Sequence, residues 1–340
     1  MILDGPSDPS RRMKFHIKTY GCQMNERDSE AVSALLLAQG HVAAANEADA
    51  DVVIVNTCSV RAKAEQKALG KLGLLVAGKR DFPARRVGVM GCMAQRMKER
   101  VFQKVPGLDF AVGTHRLAGL PRALDRLAEP GGPLLDAGEA EEDRHALAGH
   151  VTTAAGVSSF VNILLGCDRR CAYCVVPAVR GGEWSRPAAG ILDEVRGLAL
   201  AGIKEVTLLG QSVLSYGRIH AVWPGGHVSP RGFREPFARL LEAASAVEGI
   251  RRIRFTSAHP SGCTAELARA MAELPPVCEH LHLPLQSGSD RILALMRRGY
   301  SADDYRKAVG RLRGAVAGMA FTTDVIVGFP TETPDDFERT

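Results

Sequence analysis

The first third of the chain alternates short apolar runs with longer stretches in which apolar residues recur at helical spacing. The apolar runs predict β-strands and the stretches between them predict α-helices. The predicted strands are Phe15–Tyr20, Val52–Val55, Val87–Met90 and Phe110–Val112. The predicted helices are Ser29–Leu37, Lys63–Val76, Gln95–Val101 and His115–Leu127. This order predicts a doubly wound α/β domain, in which a parallel sheet of uniformly apolar strands is covered by helices on both faces.

A change of composition follows at residues 130–149. This stretch is rich in Gly, Pro and Ala and carries a solvated acidic run at Glu139, Glu141, Glu142 and Asp143, so it offers little to bury. It predicts a linker. We therefore expect an N-terminal domain over 14–128, a linker over 129–152 and a second domain over 153–340.

The second part resumes the alternation of strand and helix patterns. Its predicted strands are Phe160–Leu165, Glu205–Leu209, Arg252–Thr256, His280–Leu285 and Thr322–Val327. Right-handed crossovers between them predict a partial (β/α) barrel, with reactive groups at the carboxyl ends of the strands. The chain stops at Thr340, soon after a helix pattern begins at Pro334. We therefore expect a fragment that lacks a last barrel unit.

Composition narrows the class of protein. With 340 residues, 46% hydrophobic and 24% charged, the chain can form two ordinary globular domains. No apolar run is long enough to cross a bilayer, and Met1–Arg12 lacks the apolar centre of a signal peptide, so we expect a cytoplasmic protein. In that reducing compartment, eight cysteines favour metal or cluster binding over disulfides. The net charge of +5 permits a nucleic-acid partner without requiring one.

Cys167, Cys171 and Cys174 directly follow a predicted strand with the spacing C-x3-C-x2-C. Three thiolates in so tight a loop can hold three corners of a [4Fe-4S] cluster and leave one iron open, to which S-adenosylmethionine (SAM) can bind. A zinc site is the alternative, but zinc knuckles usually need a second cysteine pair or histidines nearby, and none is adjacent in the sequence. We therefore predict these three cysteines as the catalytic cluster ligands.

Cys22, Cys58 and Cys92 form a second set, although they are 36 and 34 residues apart. Each follows a predicted strand and precedes a predicted helix. Parallel strands deliver such turns to one edge of the sheet, so the three thiolates can converge on a second cluster. The alternative is three unrelated buried cysteines, since free Cys is often buried.

The residues around both sets resemble one family. The loop from Cys167 to Cys174, with Tyr173 before its last cysteine, is similar to the signature of the radical SAM superfamily. The following segment, with Val-Val-Pro at 175–177, Arg-Gly-Gly-Glu at 180–183 and Ser-Arg-Pro at 185–187, resembles the methylthiotransferases within it. So do Tyr-Gly-Cys-Gln-Met-Asn at 20–25, Asn-Thr-Cys-Ser-Val-Arg at 56–61 and Gly-Cys-Met-Ala-Gln-Arg at 91–96. The resemblance covers roughly residues 14–340.

This resemblance implies two [4Fe-4S] clusters and two uses of SAM. The N-terminal cluster would carry the sulfur and methylthio group, and the other would generate the radical. Family members modify tRNA adenosine carrying an isopentenyl group, tRNA adenosine carrying a threonylcarbamoyl group, or an aspartate of a ribosomal protein. The Gly-Cys-Gln-Met-Asn motif at 21–25 resembles the first group, so we expect methylthiolation at the adenine 2-position beside the anticodon of tRNA. A non-catalytic iron-sulfur protein is the alternative of another class.

The resemblance also implies contacts and partners. Expected SAM contacts are Tyr173, Gln211, Arg186, Ile326 and Gly328. Expected partners are the tRNA anticodon stem-loop, a reducing electron donor such as flavodoxin or ferredoxin, and a sulfur donor; we expect a monomer. The small C-terminal β-barrel with which the family grips RNA is absent from the predicted domains.

A few further residues fall outside these motifs. Cys263 and Cys278 have no partner spacing, so we expect free thiols. The arginine group formed by Arg251, Arg252, Arg254, Arg297 and Arg298 predicts either phosphate contacts or solvated charge.

Overall fold

The computed structural model describes residues 12–127, 131–139, 156–223 and 228–340. The chain divides into two compact units. Unit 1 comprises Met1–Thr152 together with Ala178–Arg180, and unit 2 comprises Thr153–Pro177 with Gly181–Thr340. Residues 129–130 and 140–152 of the predicted linker lie outside the described residues.

Unit 1 is built on a six-stranded parallel sheet in the order β2-β1-β3-β4-β5-β6. Its strands are β1 Lys14–Tyr20, β2 Val42–Ala43, β3 Val52–Thr57, β4 Arg86–Gly91, β5 Phe110–Gly113 and β6 Leu134–Asp136. The predicted doubly wound parallel sheet is confirmed. The sequence pattern missed β2 and β6 because both are short strands at the sheet edges without a fully buried residue. Strand β6 falls within the predicted linker. It pairs with β5, where Leu134 lies opposite Phe110.

Side chains from successive residues of β3 enter two different cores. Ile54 packs with Leu36 and Phe110 on one face of the sheet. Val53 packs with Leu72 and Val87 on the other. Each such buried aliphatic side chain stabilises the fold by roughly 1.5–3 kcal/mol. Burial on both faces explains why this strand reads as an unbroken apolar run.

The helices of unit 1 begin and end differently from the prediction. They are α1 Gln23–Ala38, α2 Ala62–Ala77, α3 Cys92–Met97, α4 Arg100–Lys104 and α5 Leu120–Arg126, with 3-10 turns at Gly78–Arg80 and Leu117–Gly119. The expected start of α1 at Ser29 is wrong, because Cys22 and Asn25 form a capping box and the polar residues of the first turns face inward. The helix predicted at Gln95–Val101 is two helices, broken at Lys98 with φ 49°. Helix α5 begins late because Pro121 fits only a first turn.

Unit 2 contains five parallel strands near the predicted positions, together with a short antiparallel pair, β8 and β9. The bounds predicted for the last strand, Thr322–Val327, are wrong, because the observed strand ends at Thr322. The strands are β7 Ser158–Asn162, β8 Leu164–Leu165, β9 Trp184–Ser185, β10 Glu205–Leu209, β11 Arg252–Phe255, β12 His280–His282 and β13 Ala320–Thr322. A parallel bridge between Ile253 and Val277 continues the arrangement beyond β11, and one between Gln286 and Val325 continues it beyond β13. The strand predicted at Phe160–Leu165 is split in two, because β7 ends at Asn162 and β8 begins at Leu164.

Helices alternate with these strands. They are α6 Val176–Arg180, α7 Ala188–Leu200, α8 Pro236–Ser245, α9 Ala265–Glu273, α10 Asp290–Leu295, α11 Ala302–Ala315 and α12 Pro334–Glu338, with 3-10 turns at Val213–Ser215 and Pro260–Gly262. Of α6, only Val176 and Pro177 belong to unit 2, since Ala178–Arg180 are part of unit 1. One core runs beneath them and includes Val206, Ile253 and Leu281, which come from three different strands. Among the described helices, none has the length and apolarity needed to pass through a membrane.

Candidate functional site

The strand register of unit 1 brings three cysteines to one edge of its sheet. Tyr20 pairs with Thr57, and Thr57 pairs with Gly91, so β1, β3 and β4 end in line. Cys22 is the N-cap of α1, Cys58 directly follows β3, and Cys92 is the first residue of α3. The carboxyl ends of these strands thus deliver three thiols to neighbouring loops, in the positions predicted from the sequence.

The three thiols share one electrostatic environment. A hydrogen bond from the Cys58 thiol lowers the pKa of Cys22 to about 6 and raises the pKa of Cys58. Burial raises the pKa of Cys92, while a nearby guanidinium, that of Arg180, acts in the opposite direction. The amide N–H of Val60 donates to Cys58 Sγ at 3.2 Å. The surroundings therefore favour the thiolate that metal binding requires at Cys22, whereas the raised pKa values of Cys58 and Cys92 favour their protonated thiols.

Two fully buried asparagines tie the first two cysteine loops together. Asn25 Oδ1 accepts hydrogen bonds from Cys22 N at 3.3 Å and from Cys22 Sγ at 3.5 Å, and Asn25 Nδ2 donates to Asn56 Oδ1 at 3.2 Å. Asn56 Nδ2 in turn donates to Asn25 O at 2.8 Å and to Ser29 Oγ at 2.9 Å. Because buried amides need all their partners, this network fixes the position of α1 against β3.

Gly91 completes the same edge. Its backbone has φ 94° and ψ −156°, a conformation that residues other than glycine rarely adopt. A Cβ at this position would also collide with the side-chain oxygen of Asn56. The turn that carries Cys92 therefore requires glycine for two independent reasons.

A buried ion pair lies beside these cysteines within unit 1. Arg180 Nη2 donates to Asp28 Oδ2 at 2.7 Å, and Arg180 Nη1 donates to Asp28 Oδ1 at 3.3 Å. The guanidinium is also within hydrogen-bonding reach of the Cys92 thiol. Burial alone would lower the pKa of Arg180, but the charges of Asp28 and Cys92 raise it well above its ordinary value. Sequence reasoning placed Arg180 in a family motif and did not predict this contact.

The second cysteine set lies in the loop between β8 and β9 of unit 2. Cys167 N donates to Gly181 O at 3.1 Å, and Cys174 N donates to Cys171 O at 3.0 Å. Burial raises the pKa of both Cys167 and Cys174, and each is also raised by the charge of another cysteine of the set. Cys174 is therefore within electrostatic reach of Cys167 and of Cys171, and the joint role of the three as cluster ligands stays a prediction.

The start of this loop depends on glycine and on Gln211. Gly166 has φ 74°, and a Cβ there would collide with the carbonyl oxygens of Gly181 and Gly182. Its amide donates to Gln211 Oε1, so the side chain at the end of β10 holds the residue that precedes Cys167. Gln211 was predicted as a SAM contact, and its amide nitrogen is the group that would make such a contact.

The other predicted SAM contacts occupy different surroundings. Tyr173 is 38% exposed, and partial burial raises its pKa to about 12. The Arg186 guanidinium is buried and bonds Glu194, Asn162 O and Gly190 O. Ile326 N donates to Gln286 O at 2.9 Å, which aligns the segment after β13, and Gly328 is exposed with φ 73°. Their contacts with SAM stay predictions.

The members of the arginine group differ in exposure and in their partners, so they do not form one charged surface. Arg252 forms an ion pair with Glu205 at 2.5 Å, and Arg297 is exposed. Arg298 is only 8% exposed, and its Nη1 donates to Cys171 Sγ at 3.3 Å. The expectation of solvated or phosphate-binding charge is therefore wrong for Arg298, because the fold draws this side chain inward to a cysteine.

Both cysteine sets suit a multi-iron cluster. All eight cysteines are free thiols, including Cys263 and Cys278, as predicted. Within the described part of the chain, no three Cys, His, Asp or Glu side chains converge closely enough to hold a single metal ion. A [4Fe-4S] cluster is larger than a single ion and takes thiolates at its separate corners. Two groups of three unpaired thiols, each beside an arginine, have the donor chemistry for such a group.

Comparison with known proteins agrees with this geometry. Residues 14–113 match the model of the uncharacterized protein family UPF0004, and residues 161–340 match that of the radical SAM superfamily. A tRNA-2-methylthio-N(6)-dimethylallyladenosine synthase of Akkermansia muciniphila is 45% identical over 338 residues, covering 95% of this chain and 72% of the relative. The synthase of the same name from Geobacter sulfurreducens is 46% identical over 327 residues, covering 96% and 71%. The chain belongs to this synthase family.

As a member of the synthase family, the protein is a radical SAM enzyme of the methylthiotransferase type, whose cofactors are SAM and [4Fe-4S] clusters. The predicted family, enzyme class and cofactors are thus confirmed. Among solved structures, the radical SAM methyltransferase TsrM of Kitasatospora setae aligns with TM-score 0.68 at 15% identity, over 95% of this chain and 69% of that one. The cobalamin-dependent SAM radical enzyme OxsB aligns with TM-score 0.61 at 11% identity, over 96% and 51%. At these identities the likeness concerns the fold alone.

Proposed function

We propose that this chain transfers a methylthio group to the adenine 2-position of N6-dimethylallyladenosine, beside the anticodon in tRNA. Relatives that are 41–46% identical carry the name of this activity. The observation that carries the proposal is the presence of two separate sets of three free thiols, one at the carboxyl ends of parallel strands in unit 1 and one in the loop between β8 and β9 of unit 2. A simple radical SAM enzyme needs only one such set.

In this proposal, Cys167, Cys171 and Cys174 hold the catalytic cluster and leave one iron open for SAM. Bound there, cluster and SAM supply the one-electron chemistry that opens an unactivated C–H bond. The chain's own residues orient that chemistry. Gln211 anchors the loop through Gly166, and the backbone bond from Cys167 N to Gly181 O sets where the loop begins.

Tyr173, Gln211, Arg186, Ile326 and Gly328 remain the proposed SAM contacts. Tyr173 offers a partly exposed ring beside the cysteines, and Gln211 a side-chain N–H donor. Ile326 lies on the segment that its N–H aligns with Gln286, and Gly328 lies two residues further on in an exposed position. Arg186 has its guanidinium committed to Glu194 and to two carbonyls, so it would act chiefly by holding β9 and α7 in place.

Cys22, Cys58 and Cys92 would hold the second cluster, which delivers the sulfur and methylthio group. Support comes from the strand register, which brings the three cysteines to one edge, and from the asparagine network, which ties the Cys22 and Cys58 loops together. The nearby charge of Arg180 acts to lower the pKa of Cys22 and of Cys92. The corresponding domains would be a sulfur-delivery domain that extends beyond the predicted 14–128 to include β6, and a radical barrel over 153–340.

The reaction needs partners that the chain does not contain. A low-potential electron donor such as flavodoxin or ferredoxin would reduce the catalytic cluster, and a separate donor would supply sulfur. We propose a monomer acting in the cytoplasm on the tRNA anticodon stem-loop.

The nucleoside content of tRNA tests this proposal. Cells that lack the gene should lose 2-methylthio-N6-dimethylallyladenosine and accumulate the unthiolated nucleoside; the full chain should restore it, whereas its Cys171→Ala variant should not. Anaerobic assays on three substrates then separate the family alternatives: an anticodon stem-loop with dimethylallyladenosine, one with threonylcarbamoyladenosine, and a ribosomal protein with the target aspartate. Turnover of either of the last two, without the first, would contradict the proposal. An intact SAM pool after reduction would instead favour a non-catalytic iron-sulfur protein.

A further inference from the structure

Arg298 is tied by its backbone to the cysteine loop of unit 2. It follows α10, and its N–H donates to Leu293 O at 3.0 Å. Two residues earlier, Met296 O accepts a hydrogen bond from Ala172 N, also at 3.0 Å. The segment that carries Arg298 is thus bonded directly to the residue between Cys171 and Tyr173. Movement of one segment would disturb the other.

The side chain of Arg298 is held from both ends. Its Nη1 donates to Cys171 Sγ at 3.3 Å and its Nε donates to the Tyr300 hydroxyl at 3.2 Å. That hydroxyl donates in turn to Leu285 O at 2.8 Å, and the Tyr300 ring packs edge-on against His259 with centroids 5.2 Å apart. The guanidinium is therefore preorganised toward sulfur.

The charge of Arg298 has no acidic partner in the part of the chain that the structure describes. Within the described residues, its side-chain contacts are Cys171 and Tyr300, and no carboxylate pairs with it. Arg169, which bonds Ser261 at 3.0 Å, adds a second positive charge nearby. Buried cations are normally paired with anions, since desolvation without an opposite charge is costly. The anion available to Arg298 is the Cys171 thiolate with whatever that thiolate binds.

We propose that Arg298 is a positioning residue that fixes Cys171 as a cluster ligand and raises the reduction potential of the catalytic cluster. The inference rests on the proposed function, which assigns Cys171 as a ligand. Reduction adds one electron from an external donor and makes the cluster more negative, so a cation bonded to its ligand stabilises the reduced form more than the oxidised form. Hydrogen bonds to sulfur are among the known determinants of iron-sulfur potentials.

The test compares two adjacent arginines. Arg298→Gln keeps a hydrogen-bond donor but removes the charge, and Arg297→Gln makes the same change at the exposed neighbour. Both are made in the full chain carrying Cys58→Ala, so that a single cluster remains. The ratio of reduced to oxidised cluster is measured by electron paramagnetic resonance at a fixed applied potential, together with iron per chain.

We expect Arg298→Gln to lower that ratio roughly tenfold, which corresponds to about 59 mV for a one-electron couple. Arg297→Gln should leave it unchanged, and Arg298→Lys should recover much of it because the charge is kept. Loss of the cluster from a folded Arg298→Gln chain would equally support the positioning role. An unchanged ratio, or an equal loss in the Lys and Gln variants, would overturn the proposal.

Replacement of Cys171 distinguishes an error in the proposed function from an error in the role of Arg298. If Cys171→Ala in the same background keeps all of its iron, the ligand assignment itself is wrong. If Cys171→Ala loses the cluster but Arg298→Gln behaves like Arg297→Gln, only the role of Arg298 is wrong.

Discussion

Arg180 and Asp28 form a two-point ion pair inside unit 1, with N–O distances of 2.7 and 3.3 Å and both side chains buried. Asp28 lies on α1, which begins directly after Cys22, and Arg180 reaches the Cys92 thiol. One guanidinium thus neutralises a buried carboxylate and faces the candidate ligands at the same time.

We expect Arg180→Met to destabilise the chain by about 3–5 kcal/mol, because it leaves Asp28 buried without a counter-charge. Urea unfolding of the cluster-free chain measures this loss. The control is Arg196→Met, since Arg196 pairs with Asp193 on the surface and such exposed pairs contribute only about 0–1 kcal/mol. Combining Asp28→Asn with Arg180→Met should recover part of the loss; additive losses would contradict the ion-pair explanation.

Replacement of Cys58 tests the division of labour between the two cysteine sets. Cys58→Ala should lower reconstituted iron from about eight to about four per chain while SAM cleavage upon reduction continues. Iron analysis and detection of 5′-deoxyadenosine measure the two effects. Cys278→Ala, at a half-buried thiol outside both sets, should change neither. Loss of SAM cleavage in Cys58→Ala would mean that the two sets do not act separately.

Gly91 and Gly73 offer a matched pair of glycine replacements. Gly91→Ala should destabilise unit 1 by about 1–3 kcal/mol through backbone strain alone, with a further loss from the collision with Asn56. Gly73→Ala, at an exposed position inside α2 with open space around it, should instead stabilise by about 0.5–1 kcal/mol. Denaturant midpoints at constant slope measure both effects. Equal shifts of the same sign would rule out the backbone explanation.

The pH dependence of stability should report on His259. Burial, followed by the charges of Arg169 and Arg298, lowers its pKa in the folded chain from 6.5 to about 3. Between these values the unfolded chain binds the extra proton, so the His259 contribution is complete above pH 6.5 and declines as the pH falls toward 3. Unfolding of the cluster-free chain and of His259→Gln should show a stability difference that narrows over this range. A difference independent of pH between 7 and 4 would refute the assignment.

The parts predicted from sequence are those encoded by local patterns. Apolar runs revealed β1, β3, β4 and β5, and the cysteine positions relative to those strands revealed the set of Cys22, Cys58 and Cys92. The C-x3-C-x2-C spacing revealed the other set. Interactions between distant residues carry no such pattern. Arg180 is 152 positions from Asp28, Arg298 is 127 from Cys171, and Asn56 is 31 from Asn25. The sequence pattern does not distinguish any of these residues from other polar residues. The one available signal for Arg180 was its place in the Arg-Gly-Gly-Glu motif.

The early start of α1 has the same origin. Its first turns contain Asn25, Arg27 and Asp28, all of which are buried; Asn25 bonds Asn56 and Asp28 bonds Arg180. A search for an apolar stripe therefore begins the helix too late. Polar residues that face inward lie at the cysteine edge of the sheet. Because they are not apolar, a search for hydrophobic periodicity does not detect them.

The aligned strand ends of unit 1 have a consequence for how its sequence can vary. The intervals of 36 and 34 residues between Cys22, Cys58 and Cys92 measure the length of each crossover, whereas ligand geometry depends on the register of β1, β3 and β4. Extra residues in the exposed turn between α2 and β4, around Phe82 to Arg85, should therefore leave the three thiols where they are. A single residue deleted within β3 would move Cys58 along the strand by about 3.3 Å and turn its side chain to the opposite face. Turns at the edge of the sheet opposite the cysteines can therefore vary in length, whereas the strands that lead to the cysteines must keep their number of residues.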